Sequence, residues 1–376
     1  MTEISFMLPT RNEEKTIGIC IKKIQVLMQR LDKSYEIIVS DSSHDKSPEI
    51  AKKLGAKVIK HDKKGYGVAY IEALQIAKGK ILVMGDADNT YDFGEAEKLL
   101  KYIDRYDIVI GRREKLQKGA MPFMHRYLGN PLLSFILRLF FQTKIRDAHS
   151  GFRAIRKEDL QKLELMSTGM EFSSEMIIKA VKNGLKIKEV PVSYCKREGT
   201  SKLKTFSDGW RHMRFMLIYA PNYLFLIPGA IFFAIGAAII YLFLSGPVKI
   251  GEITLYTYPA LIGSFMAILG YQIFILGIFA KTYALSSGFE KKDILIGYLA
   301  KIINFESGII MGMGMLLLTA AIGSIEIISW IGKGYPSLQN NNVMILILTL
   351  GILSIQTLFS ALYMSILLIE KNKKSL

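Results

Sequence analysis

Residues 81–88 read ILVMGDAD, an apolar strand-like run that stops at two carboxylates one residue apart, Asp86 and Asp88. Alternate residues of a strand face the same side, so at a strand end both carboxylates can reach one point in a cleft. Such an all-oxygen pair suits a hard divalent cation, Mg²⁺ or Mn²⁺, which keeps open positions for substrate phosphates. Asp is also common in any turn after a strand, so the octet has to be read with the elements around it.

Those elements alternate. ISFMLP at 4–9 reads as a strand, 13–31 as a helix, EIIVSD at 36–41 as a second strand, and Ser47-Pro48-Glu49 opens a short helix through Leu54. KVIKH at 57–61 is a third strand, 67–77 a helix, 81–86 a buried strand, 94–103 a helix and DIVIG at 107–111 another strand. Strands alternating with helices predict an α/β fold with a mostly parallel sheet covered on both faces. Ligands of such sheets sit beyond the carboxyl ends of the strands, which is where Asp41, Asp86, Asp88 and Arg112–Arg113 fall.

The second half of the 376-residue chain differs in kind. After Arg214 the next charged residue is Lys249, and uncharged runs recur from Glu252 to Lys281, from Ser307 to Ile325 and from Val343 to Ile369. Each reaches the roughly 19–20 residues needed to cross a bilayer as helix. Four spans are predicted near 222–244, 256–280, 307–330 and 343–369. Lys281, Lys291, Lys292 and Lys301 lie between the second and third, Lys371, Lys373 and Lys374 in the tail, and only Lys249 and Lys333 in the opposite loops. The lysine bias puts both termini in the cytoplasm. The N-terminal MTEISFMLPTRNEE has no basic start followed by a long apolar stretch, so export of the first half by a signal peptide is not expected.

The net charge of +16 fits basic residues flanking membrane spans better than nucleic-acid binding. Cys20 and Cys195 are too few for a disulfide scaffold, which fits a reducing compartment, and the five histidines show no metal-ligand spacing. Two segments look amphipathic. Residues 127–142 place Asn130, Ser134, Arg138 and Gln142 on one stripe amid Leu132, Leu133, Phe135, Ile136, Leu139 and Phe140. Residues 203–217 place Leu203, Phe206, Trp210, Met213 and Leu217 on one face. Either helix could lie in the headgroup plane or simply cover the sheet. The organisation expected is a domain over 1–200 that includes the first of these helices, an interface helix over 201–221 and a transmembrane domain over 222–376.

The motifs PTRNE at 9–13, SDSSHD at 40–45, GDADNTYD at 85–92, IGRR at 110–113, SGFR at 150–153, REGTSKL at 197–203 and DGWRHMRF at 208–215 stand in an order and spacing that resemble family 2 glycosyltransferases. The similarity is to the polyprenyl-phosphate branch typified by dolichol-phosphate mannose and glucose synthases, and it covers about residues 4–228. The resemblance implies a GT-A fold, Rossmann-like, followed by the all-α domain of four transmembrane helices. It implies that Pro9, Glu13 and Asp41 line the nucleotide pocket, that Asp86 and Asp88 hold the metal on the diphosphate, and that Asp147, Ser150 and Glu175 serve the sugar side. Arg113 and Arg126 would grip an acceptor phosphate, joined there by Arg197 and Lys202 in a basic loop that closes over the substrate. The chain departs from the family pattern at Arg11, where Tyr is frequent, at Ser40, which precedes Asp41 in place of a second carboxylate, and at Thr90, where some relatives carry a metal-holding Gln.

The activity implied is inverting transfer of a hexose from a nucleotide sugar, of GDP-mannose or UDP-glucose type, to dolichyl or undecaprenyl phosphate at the cytoplasmic face of the cell membrane. A homo-oligomer is compatible with this, and nucleic acid is not an expected partner. The alternatives are a processive polysaccharide synthase, whose QxxRW motif is absent, and a transporter or flippase with an inactive nucleotide-binding-like domain. The lysine asymmetry sets one test. A cysteine placed at residue 290 is expected to react with an impermeant thiol reagent from the cytoplasmic side, and labelling confined to the outside would reverse the topology.

Overall fold

The computed structural model describes residues 2–63, 65–198, 205–286, 305–334 and 342–373. They form two compact units, Met1–Tyr219 and Ala220–Leu376. Lys202 and the lysines at 291, 292, 301 and 374 lie outside the described residues.

The first unit is built on strands β1 (Ile4–Thr10), β2 (Tyr35–Asp41), β3 (Lys57–Lys60), β4 (Ile81–Met84), β5 (Ile108–Leu116), β6 (Arg153–Arg156) and β7 (Ile187–Tyr194). Their spatial order is β3-β2-β1-β4-β6-β5-β7. The pairs β1/β2, β1/β4, β2/β3 and β5/β7 are parallel, and β6 runs antiparallel to both of its neighbours. This is the mostly parallel GT-A sheet expected. Helices α1 (Ile17–Leu31), α2 (Ser47–Lys53), α3 (Tyr66–Ile76), α4 (Ala96–Leu100), α5 (Asn130–Phe141), α6 (Lys157–Lys162), α7 (Phe172–Lys182) and α8 (Thr205–Ile218) complete the unit. The central strands are covered on both faces, which is why β1 and β4 read as continuous apolar runs rather than alternating ones. Phe6 and Leu8 pack with Ile17, Ile21 and Ile24 of α1 and with Phe93 and Phe152 in one core.

Three boundaries differ from the sequence reading. The helix expected from residue 13 begins at Ile17, because Asn12 adopts φ 53° and the next residues form a turn. The helix expected over 94–103 is a short 3₁₀ turn at Phe93–Glu95, capped by Asp92 accepting from the Gly94 amide at 3.1 Å, followed by the brief α4. The strand expected to stop at residue 111 runs on to Leu116, since its charged end pairs with β7 as far as Tyr194, around a bulge between Arg113 and Lys115. Arg112 and Arg113 therefore sit within the strand.

α5 orients differently from its sequence pattern. Ser134 on the polar stripe is fully buried, with its Oγ accepting from the Ala148 amide at 3.4 Å, beside the buried Leu133, Leu137 and Phe141. Leu132, Phe135 and Leu139 face outward, and the lead-in turn exposes Phe123, Met124, Tyr127 and Leu128. The exposed surface of this helix is its apolar one.

The second unit contains α9 (Ile227–Phe243), entered through a turn at Asn222–Leu226, a hairpin of β8 (Val248–Ile250) and β9 (Ile253–Leu255), α10 (Tyr258–Ser286), α11 (Phe305–Gly332) and α12 (Asn342–Lys373). Among the described residues four segments are long and apolar enough to cross a membrane: Asn222–Phe243, Tyr258–Leu285, Glu306–Gly332 and Asn342–Leu367. They coincide with the four uncharged runs. α9 and α10 pack backbone to backbone through glycines, the usual means of bringing transmembrane helices close. A Cβ on Gly236 would stand 2.3 Å from the Ala267 nitrogen, and one on Gly270 would stand 2.2 Å from the Phe233 nitrogen. Side-chain bonds tie α10 to α12, Ser264 to Thr349 at 2.7 Å and Tyr271 to Thr357 at 2.6 Å. Gly236→Val should therefore overpack this contact, at a cost of about 1–3 kcal/mol. The check is a lowered unfolding midpoint of the detergent-solubilised protein, while Gly314→Val, which has open space around it, should leave the midpoint unchanged.

Candidate active site

Parallel order brings the carboxyl ends of β2, β1 and β4 side by side, and the acidic residues follow. β4 ends at Met84, and Gly85 carries the chain past the Phe93 ring, which a Cβ there would meet at 2.7 Å. The chain then presents Asp86 and Asp88. Thr90 fixes Asp88, its hydroxyl at 2.5 Å and its amide at 3.1 Å both donating to Oδ1. The hydroxyl thus orients a carboxylate at a position where some relatives carry Gln. Asp88 Oδ2 faces Arg197 Nε at 3.4 Å, and Arg197 Nη2 also reaches Glu13 Oε1 at 2.7 Å. Burial pushes the Asp86 carboxyl up to about 7, the Asp88 charge adds to the effect, and Arg197, a bond from Tyr66 and Arg113 oppose it.

On the neighbouring strand, Asp41 is completely buried. Its Oδ1 accepts from Ser43 Oγ at 2.6 Å, while its Oδ2 is buried with no hydrogen-bond partner among the described residues. An orphaned buried carboxylate oxygen is costly, and a donor group of a ligand would satisfy it. Pro9 stands one residue before the end of β1, paired with Ser40, and Thr10 pairs with Asp41.

The other side of the cleft is basic, and here several side chains do other work than expected. Arg113 is committed to Asp147: Nε to Oδ2 at 2.8 Å, Nη2 to Oδ1 at 2.6 Å, and the Arg113 amide to Oδ2 at 3.0 Å. Burial works against the charge on Asp147, yet Arg113 holds it below the ordinary carboxylate value. Arg113 and Asp147 are thus an internal ion pair rather than two open ligands. Ser150 is fully buried, and its Oγ donates to the Gly111 carbonyl at 2.5 Å, so it pins its loop to β5 instead of facing a sugar. The Arg153 guanidinium of the SGFR motif lies inside the protein and donates to the Ser150, Ala148 and Ser173 carbonyls at 2.7, 2.8 and 3.0 Å. Glu175 is also withdrawn. It pairs with Lys179 at 2.8 Å and accepts from the Met166 and Ser167 amides, which leaves it 1% exposed and occupied in holding a loop.

Open cations do remain. A cavity of about 670 Å³ is lined by Arg112, Arg113, Arg126, Arg138, Lys144 and Arg146, with Asp147 the one acid in its wall. Arg126 is exposed, its guanidinium 5.2 Å from the Tyr127 ring. The structure brings Arg113 and Arg126 to one cavity, places Asp86, Asp88, Glu13 and Arg197 in one cluster, and leaves Lys202 undescribed.

The sequence reading missed Tyr66, whose hydroxyl lies beside Asp86, and the histidine pair. His149 and His212 meet edge to face at 4.5 Å, with Ser174 Oγ 2.8 Å from His212 Nδ1. Burial and then His212 drive His149 well below its usual value, so it is neutral at physiological pH. The 63-residue separation of the two histidines hides them from any spacing pattern. Among the described residues no group of three or more His, Cys, Asp and Glu side chains could hold a metal ion. Asp86 and Asp88 remain as two hard oxygen donors, which fits a Mg²⁺ or Mn²⁺ ion that draws its other positions from substrate and water.

Residues 5–164 match the family described as Glycosyl transferase family 2, and residues 278–368 match the Glycosyltransferase family 2 C-terminal transmembrane region. The low-salt glycan biosynthesis hexosyltransferase Agl6 of Haloferax volcanii is 38% identical over 339 residues, covering 89% of this chain and 82% of that protein. A dolichyl-phosphate hexose transferase of the same organism is 35% identical over 218 residues, 56% of this chain and 92% of that protein. Among solved structures, mannosyl-3-phosphoglycerate synthase from Rubrobacter xylanophilus aligns with a TM-score of 0.48 and 22% identity over 57% of this chain and 74% of that one.

The orphaned oxygen of Asp41 generates a test of the donor side. Asp41→Asn keeps the size and the Ser43 contact while removing the charge. Weakened binding of a nucleoside diphosphate by about tenfold or more, with an unchanged unfolding midpoint, is expected by calorimetry, in line with the roughly 1.5–3 kcal/mol of a charged hydrogen bond. Unaltered affinity for both GDP and UDP would remove Asp41 from the nucleotide pocket.

Proposed function

The chain belongs to glycosyl transferase family 2, as a membrane glycosyltransferase using a nucleotide-sugar donor, and we propose that it transfers a hexose to a polyprenyl phosphate at the cytoplasmic face of the membrane. The observation that carries this reading is the cationic cavity at α5. Arg126, Asn130, Pro131 and Arg138 of that helix and its lead-in line the cavity, and the same segment exposes Phe123, Tyr127, Leu132, Phe135 and Leu139. A basic pocket beside an apolar surface suits a ligand with a phosphate head and a hydrocarbon tail. The related dolichyl-phosphate hexose transferase supports the same substrate class by its name.

In this reading one oxygen of the lipid phosphate attacks the anomeric carbon from the face opposite the nucleotide. The bond from that carbon to the diphosphate oxygen breaks, the configuration inverts, and the nucleoside diphosphate leaves with the electron pair. The phosphate oxygen is already anionic near neutral pH, so no strong base has to deprotonate it. That agrees with a cavity wall of six basic side chains and one internally paired acid. Asp41 and Pro9 receive the nucleoside, and Glu13 and Arg197 border the diphosphate. Asp86 and Asp88 would hold Mg²⁺ or Mn²⁺, which when bound supplies charge neutralisation for the leaving diphosphate. Asp147 acts by keeping Arg113 extended along the cavity wall.

Incubating membranes with a panel of radiolabelled nucleotide sugars should transfer label into a lipid extract, in a manner lost with Asp88→Ala. Label appearing only in polymer, or none in lipid with any donor, would reject the lipid acceptor. The two arginines should separate. Arg126→Ala is expected to raise the acceptor KM about ten- to a hundredfold, the equivalent of one charged phosphate contact, with the melting temperature unchanged. Arg113→Ala should also lower stability by about 3–5 kcal/mol, because it strands the buried Asp147 charge.

A further inference from the structure

The Gly65-Tyr66-Gly67 turn that opens α3 is built around a side chain with no place in the scheme above. Both glycines press on a neighbouring loop. A Cβ at Gly67 would stand 2.0 Å from the Ser167 carbonyl oxygen, and one at Gly65, with φ 149°, would stand 2.2 Å from that of Thr168. The Thr168 carbonyl accepts from the Gly67 and Val68 amides at 3.0 and 3.3 Å. That loop is in turn held by Glu175, through the Met166 and Ser167 amides at 3.1 and 2.8 Å, and Glu175 is charge-balanced by Lys179. Tyr66 itself is wedged edge-on against two stacked rings. Tyr70 lies at 5.1 Å and 79°, Phe172 at 6.5 Å and 76°, and those two are parallel to each other within 11°.

This backing sets the Tyr66 hydroxyl, 3.5 Å from that of Tyr70, close to the Asp86 carboxylate. Gly151 shows how tight the contact is: a Cβ there would lie 2.6 Å from Tyr66 Oη and 3.0 Å from Asp86 Oδ2. Asp88 has its own fixed donor in Thr90, and Asp86 has the Tyr66 hydroxyl beside it across Gly151. Carboxylates that bind metals commonly need such an outer donor to fix the orientation of the carboxylate.

We infer that Tyr66 is a positioning residue that orients the Asp86 carboxylate toward a divalent cation, backed by the Glu175-held loop and admitted by the absence of a side chain at Gly151. The inference rests on the reading of Asp86 and Asp88 as the metal pair. The phenol offers an O–H donor to a carboxylate. Glu175 gains a role at one remove from the chemistry, as the anchor of the loop behind Tyr66.

Paramagnetic resonance titration of Mn²⁺ in the presence of GDP, and separately of UDP, reads this without turnover. The wild-type chain, Asp88→Asn, Tyr66→Phe and Gly151→Ala are compared at matched unfolding midpoints. Tyr66→Phe should weaken Mn²⁺ binding about 10–100-fold, the range seen on losing an outer-shell partner. Gly151→Ala, which pushes on the same contact from the other side, should weaken it too, and the double variant should lose little more than the worse single one. Wild-type affinity in Tyr66→Phe, with Asp88→Asn lacking the site, would overturn the role of Tyr66 and leave the metal pair standing. Binding untouched by Asp88→Asn would overturn both. Should Tyr66→Phe fail to fold, Gly151→Ala decides alone, and its wild-type affinity would count against the contact.

Discussion

Crowded negative charge at one edge of the sheet is the constraint around which the first unit is arranged. Glu13, Asp41 and Asp88 are buried, and Asp86 lies beside them. Burial first and then the charge of Asp88 displace Asp86 upward, and its neighbours are surrounded by donors. Arg197 spans Glu13 and Asp88, Thr90 restrains Asp88, Ser43 restrains Asp41 and Tyr66 lies beside Asp86. The parallel order of β2, β1 and β4 makes the crowding unavoidable, because it aligns three carboxyl ends. The compensation stays incomplete at Asp41 Oδ2. A site left with excess carboxylate and one unmatched acceptor is prepared for a ligand that brings donors and positive charge. On the proposed reading these are the nucleoside and a diphosphate-bound cation.

The arginines divide the opposite way. Arg113 and Arg153 are interior and spent on Asp147 and on backbone carbonyls, while Arg126, Lys144 and Arg146 face outward. An interior guanidinium with three carbonyl partners is a device for closing a loop whose backbone would otherwise be unsatisfied. Arg153 draws Ala148 and Ser150 together and so sets the position of Asp147, which sets Arg113. A charged side chain in a recurring motif is therefore no guide to whether it meets substrate. What decides is whether its donors are already used.

Asp86 and Asp88 were legible because an apolar run ending in acids can be seen along the chain, and the alternation of strands and helices placed them correctly. The membrane spans were legible for a similar reason, since lack of charge over a bilayer's thickness is a local property. The rest depended on contacts between distant segments. Ser150 and Glu175 have the residue types of ligands, and only their partners, the Gly111 carbonyl and the Met166 and Ser167 amides, reveal them as struts. Tyr66 lies one residue before the helix expected over 67–77, and its relation to Asp86 passes through Gly151, 85 positions further on. The outward face of α5 was left open by its sequence pattern, and Ser134 of the polar stripe finds its partner inside, at the Ala148 amide.

In the second unit the described hydroxyl side chains serve packing. From Tyr258 to Ala280 no side chain carries a charge. The hydroxyls of Thr282, Thr319, Ser324, Thr349, Ser354, Thr357 and Ser365 each donate to the carbonyl four residues back, which satisfies them within their own helix. The glycine contacts of α9 and α10 and the bonds from Ser264 and Tyr271 to α12 fasten helix to helix. Polar groups that serve packing do not form a chain of exchangeable sites, and intramembrane pathways are marked by ionisable residues. Among the described residues such contacts hold the second unit together, while Glu326 lies within α11. The residues on which the proposed chemistry rests all lie in the first unit.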